Sequence, residues 1–392
     1  MLSVLRRCCK VLKKLALAPL MLAAFGCGPL PSGEAGVAFD PSKPVQVALL
    51  LPIGSGNAGD AVLAQGLKQA ADMAVADVAG SVKIDLRVYN AGSDPATAAQ
   101  MATQAVDEGA VIILGPVFGD SANAAGLAVQ GRGVNILSFS NNTDVAGGNV
   151  FILGQTFQNS ARRLASYAAR QGKGNILIVH DKTPQGDLGR RAIETAAATA
   201  GARIVGTVPY DFTGPGVTAA VPTVVATARS SGATTMILTA DSAGALPLLA
   251  QLLPEQGLGP ASIQFAGLTR WDIPSQTLSL PGLQGGWFAL PDPGLNAQFQ
   301  SRYSAAFGAP PHPIAGLAYD GIAAIAALVK SGRPAPFSAA ALTQSAGFAG
   351  VNGVFRLRPD GTNERGLAIA QIQSGQVVVI DPAPRSFGGN GS

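Results

Sequence analysis

Between Val45 and Gly267 the chain repeats one pattern: a short apolar run, a turn, then a stretch whose apolar residues recur at helical spacing. This alternation limits the possible folds more than any other feature. Strands joined by helices pair in parallel, and a parallel sheet needs helices on both faces. The first run, VQVALLL (Val45–Leu51), is apolar throughout, which predicts a strand covered on both sides. Further strands are expected at Lys83–Tyr89, Val111–Leu114 and Val134–Ser140. Between them fall an amphipathic helix through Leu63, Leu67, Ala70 and Ala74, a helix capped by Asp94 with Pro95 in its first turn, and a helix over Ser121–Arg132. Around Phe151–Thr156 the series restarts. Helices Ser160–Arg170, Asp187–Ala200, Thr218–Ser231 and Ala243–Leu253 then alternate with strands Asn175–His180, Arg203–Tyr210, Thr235–Thr239 and Ser262–Gly267. Two βα series of similar size predict two doubly wound α/β lobes. After Trp271 come Pro-rich loops, two helices (Leu295–Phe307 and Ile314–Val329) and short strands turning at Pro359-Asp360-Gly361 and Ser374-Gly375.

Gly54, Gly56 and Gly59 spell G-x-G-x-x-G just after the first strand, the spacing of a dinucleotide fingerprint. Its context is wrong. Pro52 and Ile53 separate the strand from the first glycine, and the second strand ends at Tyr89-Asn90 without the carboxylate that would hold a ribose. The glycines read instead as a tight turn that brings Ser55 and Asn57 toward a ligand space beyond the strand ends.

The first residues have another character. Arg6, Arg7, Lys10, Lys13 and Lys14 precede the apolar run LALAPLMLAAF and then Gly26-Cys27, an order that predicts a secretory leader over residues 1–27. The stretch before Cys27 resembles a bacterial lipobox, which implies a lipidated Cys27; ordinary cleavage nearby is the alternative. Gly28 after the cysteine resembles the sorting signal for the outer membrane. Residues 28–44, rich in Pro, Gly and Ser, predict a flexible tether, and residues 382–392 a disordered tail. The chain carries 27 basic and 23 acidic residues, but five of the basic ones lie in the leader, so the remainder is near −1. That balance gives no handle for nucleic acid. Cys8, Cys9 and Cys27 are the only cysteines, which excludes disulfides and cysteine-bound metal from the folded part.

The stretch LLPIGSGNAGDAVLAQGLKQAADMAV (Leu50–Val75) resembles the opening of type I periplasmic binding proteins of the leucine-binding family. GPVFGDSANAA (Gly115–Ala125), ILSFSNNTDVAG (Ile136–Gly147), GLAYDGIAA (Gly316–Ala324) and GVFRLRPDG (Gly353–Gly361) are similar to further signatures of that family, in the same order. The resemblance spans about Val45 to Asp381. It implies two Rossmann-like lobes with a ligand cleft between them and a chain that crosses between lobes three times. Lobe one would be 45–150 plus 284–343, and lobe two 151–283 plus 344–381.

Candidate ligand residues follow from the strand ends. In lobe one they are Ser55, Asn57, Phe118, Gly119, Ser138, Ser140, Asn141 and Asn142; in lobe two, Gln185 and Asp241, with Asp181 nearby. Gly119, Asp120 and Ser121 open a helix whose free N–H groups suit a carboxylate, unless Asp120 caps it. The chain departs from the amino-acid-binding pattern at the positions that would clamp an α-amino acid: Gly119 stands where a serine is expected, Asn142 is the nearest match to a threonine, Gln185-Gly186 replaces Tyr-Gly, and Ala240-Asp241 replaces a tyrosine. His180 and His312 read as structural, and no G-x-S-x-G, S-x-x-K or H-E-x-x-H occurs. No enzyme, cofactor or metal is expected.

Two readings of function share this fold. The first resembles the penicillin-binding-protein activators: a lipid-anchored periplasmic regulator that touches a peptidoglycan synthase. The leader, Gly28, the tether and the eroded clamp favour it. The alternative is the binding component of an ABC importer, delivering branched-chain amino acids or related small polar solutes to a permease. In both, the membrane is met only through the lipid anchor, and a small polar ligand is a candidate for the cleft.

Overall fold

The computed structural model describes residues 39–387. The expected leader, Cys27, most of the tether and the last residues of the tail lie outside them.

The first sheet has five parallel strands in the order β2-β1-β3-β4-β5: β1 Val45–Leu51, β2 Ile84–Asn90, β3 Ile112–Leu114, β4 Asn135–Ser138 and β5 Val150–Ile152. Helices α1 (Ala58–Val78), α2 (Pro95–Asp107) and α3 (Gly119–Val129) cover its faces. The unbroken apolar run of β1 has the reason expected of it. Val47, Leu49 and Leu51 face one apolar cluster with Leu67 and Ala70 of α1, while Ala48 and Leu50 face another with Ala98 and Ala102 of α2. Asp94 caps α2, its carboxylate accepting the Thr97 N–H at 2.8 Å.

The second sheet has seven strands in the order β15-β14-β10-β9-β8-β6-β7. Its parallel part comprises β6 (Asn175–Asp181), β7 (Arg203–Tyr210), β8 (Thr235–Leu238), β9 (Gln264–Gly267) and β10 (Trp287–Leu290). Helices α4 (Phe157–Arg170), α5 (Pro184–Ala200), α6 (Gly214–Ser231) and α7 (Leu246–Glu255) flank it. The chain then returns to the first lobe. There α8 (Pro293–Phe307), α9 (Gly316–Lys330) and the short α10 (Ala339–Leu342) pack, followed by a three-stranded sheet of β11 (Phe348–Gly350), β12 (Gly353–Leu357) and β13 (Asn363–Arg365). It ends in the second sheet with β14 (Ala368–Gln373) and β15 (Gln376–Asp381), both antiparallel.

The three crossings therefore fall after Ile152, after Leu290 and after Arg365, which moves the expected boundaries. Residues 284–290 belong with the second sheet, because β10 pairs with β9 and β14. Residues 344–365 belong with the first lobe, because Phe348, Phe355 and Leu357 are buried in the same cluster as α1 and α9. β5 straddles the expected break at residue 150 and pairs with β4. No described helix is long and apolar enough to cross a membrane.

Candidate ligand cleft

In a doubly wound sheet, ligands bind beyond the carboxyl ends of the strands where the strand order reverses. The first sheet reverses between β1 and β3, and the second between β6 and β8. The loops that follow these four strands, with the one after β4, form the candidate site.

After β1, Gly54 and Gly56 take φ values of +84° and +79°, where a side chain would be strained. The turn they make is closed by its own polar atoms: Ser55 Oγ accepts the Asn57 N–H at 3.2 Å, and Asn57 Oδ1 accepts the Gly59 N–H at 2.9 Å, capping α1. Nothing in this turn is shaped for a dinucleotide. After β3, Phe118 is the cap residue of α3 and offers no side-chain acceptor, so Asp120 does not cap this helix. Asp120 is exposed in the first turn, while Ser121 is buried and turned toward the Ser93 carbonyl at 3.5 Å.

The loop after β4 corrects part of the expectation. Ser138 is fully buried; its hydroxyl donates to the Pro116 carbonyl at 2.8 Å and accepts the Ser140 N–H at 3.1 Å. Ser140 Oγ accepts the Asn142 N–H at 3.1 Å, and Asn142 Oδ1 accepts the Asp144 N–H at 2.9 Å. These side chains hold one loop in shape, and Ser138 has no face toward a ligand. A Cβ on Gly119 would stand 3.2 Å from Asn142 Nδ2 and 3.6 Å from Ser140 Oγ. The missing serine at that position is thus matched by an asparagine that fills the space.

In lobe two, Asp181 is buried and bound locally: its Oδ1 accepts the Thr183 N–H at 3.0 Å and the Thr183 hydroxyl. Gln185 is exposed in the first turn of α5, and Asp241 is exposed after β8. At the end of the edge strand β7 lies Tyr210. Its ring is buried and its hydroxyl has no partner. Burial, and then the negative charges of Asp181 and Asp241, push its phenol well above the ordinary value, so it stands as a proton donor. The buried hydroxyl of Thr239, just after β8, and the Trp271 indole N–H, after β9, also lack partners. Sequence reasoning passed over all three. A tyrosine closing the run RIVGTVPY, at the ligand edge of a parallel strand, was the available signal.

The lobes meet around a cavity of about 90 Å³. Asn141, Asn142 and Thr143 line it from lobe one; Phe157, Gln158, Gln185 and Leu188 line it from lobe two. Gln158 Nε2 donates across the gap to Thr143 Oγ1 at 3.2 Å. The structure therefore brings Asn141, Asn142 and Gln185 together, with Gly119 and Ser140 directly behind Asn142. Ser55, Asn57, Phe118 and Asp241 are not among the lining residues. The walls carry amides, one hydroxyl and two apolar side chains, and no charge. The space equals roughly three waters, well below the several hundred Å³ of ordinary ligand pockets, so a ligand of amino-acid size requires the lobes to part.

What the lobes would turn on is also defined. Arg365, 8% exposed, donates to the Leu153 carbonyl at 2.9 Å and to Asp320 at 3.1 Å; Asp320, on α9, is fully buried. Asp320 also accepts the Val351 N–H at 2.8 Å and the Asn352 amide at 3.2 Å, and the Asn352 carbonyl accepts the Asp292 N–H at 3.3 Å. Burial pushes the Asp320 carboxyl up, against the pull of Arg365. Asn363 Nδ2 donates to the Ile152 and Gly154 carbonyls, each at 2.8 Å. All three crossings are thus stitched into one polar cluster. The aspartate of the GLAYDGIAA motif belongs to this hinge.

A model of the periplasmic binding protein family matches residues 44–376, and the chain belongs to that family. Among solved structures it is similar to a branched-chain amino acid ABC transporter periplasmic ligand-binding protein from Burkholderia xenovorans, with 18% identity and a TM-score of 0.69 over 88% of this chain and 97% of that one. An ABC transporter substrate-binding protein from Desulfitobacterium hafniense in complex with Leu superposes with a TM-score of 0.64 at 17% identity, covering 86% of this chain and all of the other. A solute-binding protein of an ABC transporter from R. palustris in complex with benzoate gives 0.57 at 18%, over 89% and 98%. At such identities the likeness is one of fold. No curated protein matches the chain.

Proposed function

We propose that this protein is the solute-binding component of an ABC importer in the periplasm, taking a small polar solute related to the branched-chain amino acids. The observation that carries the reading is the uncharged, amide-lined cavity held between two lobes by a stitched hinge. Asn141, Asn142 and Gln185 contact the ligand, Gly119 and the open first turn of α3 receive its acceptor end, and Tyr210 supplies a donor from lobe two. Ser55, Asn57, Phe118 and Asp241 form the rim, and Ser140 holds Asn142 in place from behind. The solved neighbours that hold leucine and benzoate support a compact ligand with an acidic or polar end. They lend no support to the regulator of peptidoglycan synthesis; of the features read in its favour, the lipobox at Cys27, Gly28 and most of the tether lie outside the described residues. Anchoring through a lipidated Cys27 is compatible with import and is checked by mass spectrometry of the membrane fraction.

The test is a thermal-shift screen of amino acids, amides, aromatic acids, sugars and peptidoglycan fragments, with calorimetry on each hit. A ligand at 100 times its dissociation constant adds about 2.7 kcal/mol of stability, a readily visible shift. A micromolar amino acid or small acid is the expected hit. Silence across the small solutes, or a hit confined to peptidoglycan fragments, would contradict the importer.

A further inference from the structure

Away from the cleft, six arginines converge where α4 meets the third crossing. Arg162 approaches Glu364 at 3.1 Å, Arg356 at 2.7 Å and Arg358 at 2.8 Å, so one carboxylate holds three guanidiniums. Arg163 and Arg170 share Asp381 at 2.8 and 2.6 Å. Arg365 is paired with Asp320 behind them. Six guanidiniums therefore meet three carboxylates, an excess of three positive charges. They are not crowded by chance packing on a flat surface: all but Arg358 line a cavity of about 560 Å³, with Ser166 and the Phe387 end of the described chain on its wall. Among the described residues, Glu364 and Asp381 are the only carboxylates lining it.

This arrangement opposes itself. Burial draws the Arg162 guanidinium below its ordinary value despite Glu364, and the neighbouring Arg358 and Arg356 add to that pull. Partly desolvated cations in excess over their anions are costly, and the cost is removed by another anion. Arg163, Arg356 and Arg365 spend their donors on main-chain carbonyls and on Asp381, Glu364 and Asp320. Arg162 and Arg170, by contrast, each hold one carboxylate oxygen and keep donors to spare. Guanidinium forks match the oxygens of a phosphate two at a time, which suits a multiply charged tetrahedral group better than a single carboxylate.

We infer that this cavity is a second binding site, independent of the solute cleft, that takes a phosphate group, carried either by a soluble phosphate compound or by the headgroup of an anionic phospholipid. The two sources share the chemistry and are separated by experiment. Sodium pyrophosphate is titrated calorimetrically into the protein, and the protein is sedimented with phosphatidylcholine vesicles with and without phosphatidylglycerol. Ser166→Glu places a negative charge in the cavity without removing any hydrogen bond in the structure; Arg162→Gln removes a cation and reports on the same site. Unfolding midpoints of both variants, measured without ligand, show that the fold is kept. The expected result is pyrophosphate binding that weakens with added salt and falls at least tenfold in Ser166→Glu. Binding only to the anionic vesicles, again lost in Ser166→Glu, assigns the phosphate to a lipid and upholds the site. No binding in either arm, or binding that Ser166→Glu leaves unchanged, overturns it.

Discussion

The hinge and the cleft are both polar regions between the same two lobes, yet their polar groups are used in opposite ways. At the hinge, Asp320, Arg365 and the Asn363 amide nitrogen each hold partners on a different segment of the chain, and of these side chains Asn363 Oδ1 alone is left over. At the carboxyl ends of the lobe-two strands β7 and β8, the Tyr210 and Thr239 hydroxyls are also buried but hold none. A satisfied buried polar cluster fixes one arrangement of the chain, whereas an unsatisfied one keeps a cost that a ligand can relieve. The hinge should therefore carry stability and the cleft affinity.

The comparison can be broken first at the hinge. Asp320→Ala leaves Arg365 buried beside an empty space and the Val351 N–H unpaired, and should cost about 3–5 kcal/mol in denaturant unfolding. A loss under 1 kcal/mol would mean the pair is not structural. Asn363→Ala strips the Ile152 and Gly154 carbonyls of their shared donor and should cost about 1–3 kcal/mol by the same measurement. Tyr210→Phe sharpens the contrast: removing a partnerless hydroxyl should leave stability unchanged or raise it by up to about 1 kcal/mol, while ligand affinity falls. A stability loss equal to that of Asn363→Ala would show that the hydroxyl is already satisfied. Gln185→Ala, at an exposed position, should move stability by less than about 0.5 kcal/mol and weaken the ligand severalfold in calorimetry.

The smallest effect concerns acid. Burial alone would raise the Glu364 carboxyl, but Arg356, Arg358 and Arg162 outweigh it and hold it below the usual range. A depressed folded value means its contribution is present above the unfolded pKa of about 4.3 and is lost as pH falls through the folded value. Unfolding midpoints followed from pH 6 to 3 should therefore fall less steeply in Glu364→Gln than in the unaltered chain.

Most of the framework was legible because periodicity is local. VQVALLL announced a doubly covered strand, and Asp94-Pro95 announced a helix start, without any knowledge of what lay opposite. WFAL, the four residues of β10, was lost among Pro-rich loops, although Gly285-Gly286 before it and Pro291 after it bound an apolar run. That omission shifted the second crossing. β12 and β13 were read as short strands, β11 was not, and all three fell in the wrong lobe, because strand period does not say which core Phe355 enters. The site was read less well for the same physical reason. Asn142 and Gln185 lie at strand and helix ends, where position alone points to the cleft. Ser138 lies one residue too early and is turned inward. The Asp320–Arg365 pair joins residues 45 apart, one on helix α9 and one on strand β13, and no local pattern encodes it.

The most direct measurement is amide hydrogen exchange with and without a ligand found in the screen. The account predicts that the Leu153 to Asn159 segment and the Val351 amide are strongly protected in both states. It also predicts that amides over Asn141–Asp144 and Gln185–Leu188 exchange readily alone and slow at least tenfold when ligand is bound. Protection at the cleft equal to that of the hinge before ligand is added, or a ligand that leaves the cleft amides unchanged, would contradict it.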